Sequence, residues 1–158
     1  MDRRNIFKSL VAIVAGIFAT RSSPARADAP ASGAPKVVYH LADLDKVAFV
    51  LGNIRNHIEG MGGPDKVRIA LVVHGPALKA FRATTPNVAL KSDVGAIRGS
   101  GVALVACRNT MEAQKLGLDD LLPGFIVAQE GAVVRLAELQ REGWVYLRPQ
   151  RRRLRRVG

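Results

Sequence analysis

Two hydrophobic rhythms alternate along the chain. Lys36 to Leu41 (KVVYHL) is a short run rich in branched and aromatic side chains, which predicts a strand. Asp43 then stands where an N-cap belongs, and Leu44, Val47, Leu51, Ile54, Ile58 and Met61 follow at spacings of three and four. That spacing predicts one long helix with a single apolar stripe. Arg55, Asn56 and Glu59 fall off the stripe, and Gly60, Gly62 and Gly63 end it. Lys66 to His74 (KVRIALVVH) predicts a second strand, apolar at its centre, which Gly75-Pro76 breaks to open a helical turn, ALKAF. Val88, Leu90, Val94 and Ile97 mark a weaker amphipathic helix ending at Gly99-Ser100-Gly101. Val102 to Ala106 predicts the third strand, followed by a short helix from about Thr110 and a turn at Leu122-Pro123-Gly124. Phe125 to Ala128 is a brief strand, Val133, Leu136 and Leu139 mark a last helix, and Trp144 to Leu147 closes the sheet.

Strands with continuous apolar centres, separated by helices, imply a parallel sheet covered on both faces. Right-handed crossovers then give an α/β, flavodoxin-like three-layer sandwich. With 158 residues the chain holds one such domain and too little for two. Aromatic residues are only 5%, so the core must rest on Val, Leu, Ile and Ala.

The net charge of +11 suggests nucleic acid until it is divided along the chain. Residues 1–27 carry five basic residues against Asp2, and residues 150–158 carry five arginines and no acid. The body between them is close to neutral and has no nucleic-acid-binding motif, so nucleic acid is not expected as a partner. The tail RRRLRR better suits an anionic membrane surface or an acidic protein.

MDRRNIFK is a basic leader, Leu10 to Ala19 (LVAIVAGIFA) a short apolar run, and Ala25-Arg26-Ala27 a small-residue cleavage site. The apolar run is well short of the roughly 20 residues a spanning helix needs. Residues 1–27 are therefore expected to be an export signal. Arg3-Arg4 before Ile6, Phe7 and Lys8 fits the twin-arginine route, and the general secretory route is the alternative. The expected location is periplasmic. Residues 28–35 (DAPASGAP) read as a linker, 36–149 as the folded domain and 150–158 as a basic tail.

Cys107 is the only cysteine, and it stands just past the end of the third strand. In open α/β sheets chemistry collects at the carboxyl ends of strands. Asn109 with Glu112 three residues on predicts a cap with its reciprocal acid. That pairing places Cys107 just before a helix N-terminus with Arg108 beside it, and both features favour a thiolate. The competing reading is a small buried apolar residue, which most lone cysteines are. His40 ends the first strand and His74 the second, so both are expected along the same edge as Cys107, where Cys–His chemistry becomes feasible. Their spacing matches no metal signature. His57 lies near Asn53 and Asn56 on the first helix and is expected at a surface or interface. Phosphate loop, Gly-rich dinucleotide turn and nucleophile elbow are all missing from the sequence, so no cofactor is expected.

The order of elements resembles the DsrE/DsrF-like family of small sulfur-relay proteins. The matching stretches are KVVYHLAD, LGNIRNHIEG, KVRIALVVHGPAL, GVALVACRNTM, GLDDLLPG and LQREGWVYLRP, which together span Lys36 to Pro149. The resemblance implies about five mostly parallel strands with helices on both faces, and homo-oligomers, as trimers or hexamers. In its sulfur-transferring members a cysteine at the end of a central strand accepts sulfane sulfur as a persulfide. Cys107 in ACRNTM would hold that place, and His74 and Gly75 in VVHGPAL would flank it. Two functions compete on this basis. One is an exported sulfur handler that loads Cys107 from a sulfur donor and unloads it to an acceptor. The other is a non-enzymatic ligand-binding or assembly module with a buried structural cysteine.

Overall fold

A computed structural model describes residues 33–150 of the chain. The expected export signal, most of the linker and the arginines at 151–158 lie outside the described residues. Five strands form a single sheet: β1 (Lys36–Leu41), β2 (Arg68–Val73), β3 (Ala103–Cys107), β4 (Phe125–Ala128) and β5 (Val145–Leu147). Their order is β4-β3-β2-β1-β5 and every adjacent pair is parallel. The α/β sandwich expected from the alternating rhythms is therefore what forms.

Parallel strands need crossover connections, and the helices α1 (Val47–Gly60), α2 (Val88–Gly99), α3 (Arg108–Ala113) and α4 (Ala132–Arg141) supply them. Strand side chains alternate between two layers. Val37, Tyr39, Leu41, Ile69, Leu71, Val73, Leu104, Ala106 and Phe125 face one layer. There they meet Val47, Val50, Leu51 and Ile54 of α1, Ala77, Leu78 and Phe81 of the turn after β2, and Leu90, Val94 and Ile97 of α2. Val38, Ala70, Val72, Val105, Cys107 and Ala128 face the other layer, where α4 covers them with Ala132, Leu136 and Leu139. Among the described residues the first layer holds 25 buried side chains and the second nine, a strong asymmetry.

Helix boundaries depart from the sequence pattern in four places. Leu44 falls in a 3-10 turn (Leu44–Lys46) and is 48% exposed, and α1 begins only at Val47. The Asp43 side chain accepts no capping hydrogen bond; its carboxylate instead pairs with Lys46 at 2.6 Å. Val133 is 73% exposed, because α4 presents Ala132, Leu136 and Leu139 to the sheet and Val133 lies a third of a turn away. Finally, the pairing expected between Asn109 and Glu112 does not form. Cys107 itself is the N-cap of α3, and Glu112 bonds Arg108 at 2.7 Å. Asn109 is therefore inside the helix, two positions past the cap, and a 108–112 ion pair at i,i+4 is the geometry a helix allows.

Candidate functional site

Cys107, His40 and His74 stand along the carboxyl edge of the sheet, in the thin layer under α4. Val73 pairs with Ala106 across β2 and β3, so His74 and Cys107, one step further, stand side by side on strands about 4.8 Å apart. On the other side His40 pairs in register with Val72, and His40 reaches across to His74. Their Nε2 atoms are 2.5 Å apart and the rings stack with centroids 4.8 Å apart. Such a contact requires one Nε2 to carry the proton and the other to accept it. The far nitrogen of His40, Nδ1, bonds the Tyr146 hydroxyl at 2.6 Å. Tyr146, His40 and His74 thus form a chain of three hydrogen-bonding groups along the edge.

The electrostatics keep this chain neutral. Burial pulls the His40 pKa down to about 4, helped by the charges of His74 and Arg148 and opposed by Asp43. Burial and Arg148 likewise lower His74, again against Asp43. Both imidazoles are therefore neutral near pH 7, each able to accept one proton and donate another.

The Cys107 sulfur sits between two helix starts. It is 5% exposed, and the backbone N–H of Ala132, the first residue of α4, donates to Sγ at 3.3 Å. Burial pushes the thiol pKa up, but the N–H groups of Thr110 and Ala132, the Thr110 hydroxyl and the Asn109 N–H together draw it below the ordinary value. Hydrogen bonds to the charged form outweigh desolvation here. Thr110 has a second duty: its Oγ1 accepts from the Gly75 N–H at 3.0 Å, and Gln114 Nε2 donates to the Gly75 carbonyl at 2.9 Å. Gly75, with φ +55, turns the chain out of β2 into that pair of bonds. Gly131 is equally constrained. Its φ is +90, and a Cβ there would lie 2.9 Å from Asn109 Nδ2. Only glycine lets α4 begin so close to α3, which brings the Ala132 N–H to the sulfur.

Arg108 does not face the thiol. Its guanidinium bonds Glu112 at 2.7 Å and Gln129 at 3.3 Å and is about half exposed. Among the described residues no group of three or more His, Cys, Asp and Glu side chains is placed to hold a metal ion. A cleft of about 360 Å³ opens between the turn after β2 and α3, lined by Gly75, Pro76, Asn109, Thr110 and Gln114; Cys107 does not line it.

Four residues of this site escape a reading of the sequence. Tyr146, Thr110, Gly131 and Ala132 act through contacts across 25 to 106 residues, or through a backbone N–H, and no local spacing encodes them. A glycine followed by the apolar rhythm of the last helix was the one available signal, since glycine is an accepted N-cap.

No family model and no curated protein matches the chain. Solved structures do. MTH1491 from Methanobacterium thermoautotrophicum, a protein of unknown function, is 32% identical over 73% of this chain and 99% of its own, with a TM-score of 0.64. BT1422 from Bacteroides thetaiotaomicron, also of unknown function, shares the fold at 16% identity, 72% and 95% coverage and a TM-score of 0.54. YchN from E. coli shares it at 12% identity, 72% and 99% coverage and a TM-score of 0.52.

Proposed function

The chain belongs to the family of the methanobacterial protein MTH1491, and from that premise we propose that it is an exported sulfur-handling protein whose Cys107 accepts and passes on sulfane sulfur. The observation that carries this reading is the Ala132 N–H directed at the Cys107 sulfur at the junction of two helix starts. The same bond satisfies an N–H that the start of α4 leaves without an intrahelical partner, and it also stabilises a thiolate or a persulfide anion. The sequence resemblance to sulfur-relay proteins points the same way.

Loading follows simple displacement. The Cys107 thiolate attacks a sulfur atom of a hydropolysulfide, the S–S bond beside it breaks, and hydropolysulfide one atom shorter leaves with the electron pair. The enzyme keeps a persulfide anion, and no outside oxidant or reductant is needed. An acceptor thiolate reverses the step. Held by hydrogen bonds from Thr110, Ala132 and Asn109, the product anion is stabilised as the thiolate was. When loading begins from the protonated form, the thiol first gives up its proton to solvent, a step that its lowered pKa favours. With 5% exposure, Cys107 admits only a small donor.

The test is intact mass after exposure of the mature protein to polysulfide. Mass should rise in steps of one sulfur atom, fall again with reductant, and stay fixed in Cys107→Ser. The burial of Cys107 among Val38, Val72, Val105 and Leu136 favours a second reading, a binding or assembly module with a structural cysteine. A thiol that resists both polysulfide and alkylating reagents until the protein unfolds would establish that second reading instead.

Export and assembly belong to the same proposal. Protein recovered from the periplasm should begin near Asp28, which N-terminal mass checks, and an intact Met1 there would exclude removal. Light scattering should return a homo-oligomer, trimer or hexamer, at micromolar concentration; a monomer would remove that part. The arginine tail is assigned to an anionic membrane surface, at about 1 kcal/mol per basic residue.

A further inference from the structure

A second concave site lies on the opposite face of the sheet, away from Cys107. Strand order β4-β3-β2-β1-β5 reverses direction at one point only, between β1 and β5. From β1 the chain passes through α1 to β2 on the thick face, whereas α4 brings it to β5 across the thin one. In open parallel sheets such a reversal leaves a crevice at the carboxyl ends of the two strands, and ligands bind there. A cleft of about 490 Å³ flanks this reversal, running from Tyr39 and α1 to the carboxyl end of β5; its volume is within the ~300–1,000 Å³ usual for small-molecule sites.

Its walls are of two kinds. Phe49, Leu147 and Pro149 offer apolar surface. Asn53, Asn56 and His57 project polar groups from α1, and their spacing of three and four places them on one face, apart from the stripe Val47, Val50, Leu51 and Ile54 that packs on the sheet. Arg148, just past the end of β5, adds a guanidinium. Its nearest acid is Asp43, at 3.7 Å, whose carboxylate is already held by Lys46 at 2.6 Å. Among the described residues no carboxylate lines the cleft.

The deepest polar contact is a built one. Tyr39 is buried, and its hydroxyl meets His57 Nδ1 at 2.9 Å. Burial raises the phenol pKa, so the phenol stays protonated. In the tautomer with its proton on Nε2, His57 accepts this bond at Nδ1 and keeps Nε2–H as a donor. A phenol sunk in the core and locked to a helix histidine orients a ring that would otherwise rotate at the surface.

We propose that the β1/β5 cleft is a binding site for a small organic anion with an apolar, planar body, its carboxylate or sulfonate received by Arg148, His57 and the α1 asparagines and its body by Phe49, Leu147 and Pro149. The site is independent of the chemistry assigned to Cys107. The probe is 1-naphthoate, with uncharged 1-naphthamide as its near-isostere, titrated into isotope-labelled protein and followed by backbone amide shifts. Naphthoate should saturate with a Kd of about 1 mM, usual for a fragment of this size. Its shifts should centre on Asn53, His57, Leu147 and Arg148. Naphthamide should bind about tenfold more weakly, since it forfeits a charge-assisted pair. Arg148→Gln should weaken naphthoate about tenfold and leave naphthamide unchanged, with the same melting temperature because Arg148 is exposed. His57→Gln should weaken naphthoate as well, again without loss of fold. Equal binding of acid and amide, shifts centred on Cys107 instead, or no saturable shift at all would each overturn the assignment.

Discussion

Tyr39 and His40 are neighbours on β1 yet belong to different worlds. Tyr39 points into the thick layer, among 25 buried residues under α1 and α2, and its hydroxyl braces His57. His40 points into the thin layer, where six buried strand residues meet three from α4 and the polar groups His74 and Tyr146 gather with Cys107 at the rim. The difference teaches how one small sheet divides its work. Burial of apolar surface is the main stabilising term, and it is concentrated on one face. The other face, closed by a single ten-residue helix, can afford a thiol, two imidazoles and short contacts that a denser core would exclude.

The largest expected effect tests that division directly. Leu51 and Leu139 are both almost fully buried, one on each face. Leu51→Ala should cost toward the top of the about 2–5 kcal/mol range for such a truncation, because its neighbours are locked on all sides. Leu139→Ala should fall near the bottom of that range, because the rim of a one-helix layer can collapse into the space. Denaturant titration of both variants decides the point, and equal costs would break the comparison.

Acid should act mainly through the thin face. The His40 pKa is about 4 in the folded protein, below its ordinary value of 6.5, and that of His74 is lowered too. In the unfolded chain both take up protons as pH falls below 6.5, whereas the folded chain resists. Stability is therefore undiminished above pH 6.5, declines from there to about pH 4, and loses no more from His40 below that. Replacing His40 with Gln should flatten much of the slope. Unfolding midpoints measured across this window would show it, and a slope unchanged in His40→Gln would shift the acid sensitivity to other groups.

A smaller, purely local effect is expected at Thr110. Thr110→Val removes the hydroxyl that both supports the Cys107 thiolate and accepts the Gly75 N–H. The thiol pKa should rise, while Thr110→Ser, which keeps the hydroxyl, should leave it in place. Thiolate absorbance against pH measures both. An unchanged pKa in Thr110→Val would mean that the backbone N–H groups suffice.

These contrasts also mark how far sequence carries. All five strands and the α/β class were legible, because buried parallel strands write themselves as unbroken apolar runs such as IALVV. The edge position of His74 and Cys107 was legible too, because each directly follows the apolar run of its strand, and His40 stands one residue before the end of β1. What stayed hidden was which layer is thin, since β1 to β3 are apolar on both faces whatever covers them. Equally hidden was the direction of approach to the sulfur. The Ala132 N–H lies 25 residues away, and Gly131, which admits it, looks like any loop glycine. Asn109 misled for a related reason. A cap motif is a local preference, and here the strand runs straight into the helix with Cys107 in the capping place.

The smallest effect is expected where the sequence invited a large one. Arg108 follows Cys107 directly, and a cation beside a thiol ordinarily lowers its pKa. Its side chain, however, leaves along the helix surface to Glu112 and Gln129, about half exposed. The groups that set the acidity of Cys107 are its burial, the N–H groups of Thr110, Ala132 and Asn109, and the Thr110 hydroxyl. Water screens an exposed guanidinium already paired with a carboxylate, so little of its charge reaches the sulfur. Arg108→Ala should therefore move the thiol pKa much less than Thr110→Val does. Stability should change by no more than about 0.5 kcal/mol, as for most surface substitutions. Thiolate titration of the two variants side by side gives the ranking. A larger shift in Arg108→Ala would mean that charge, and not hydrogen bonding within the thin layer, prepares Cys107 to react.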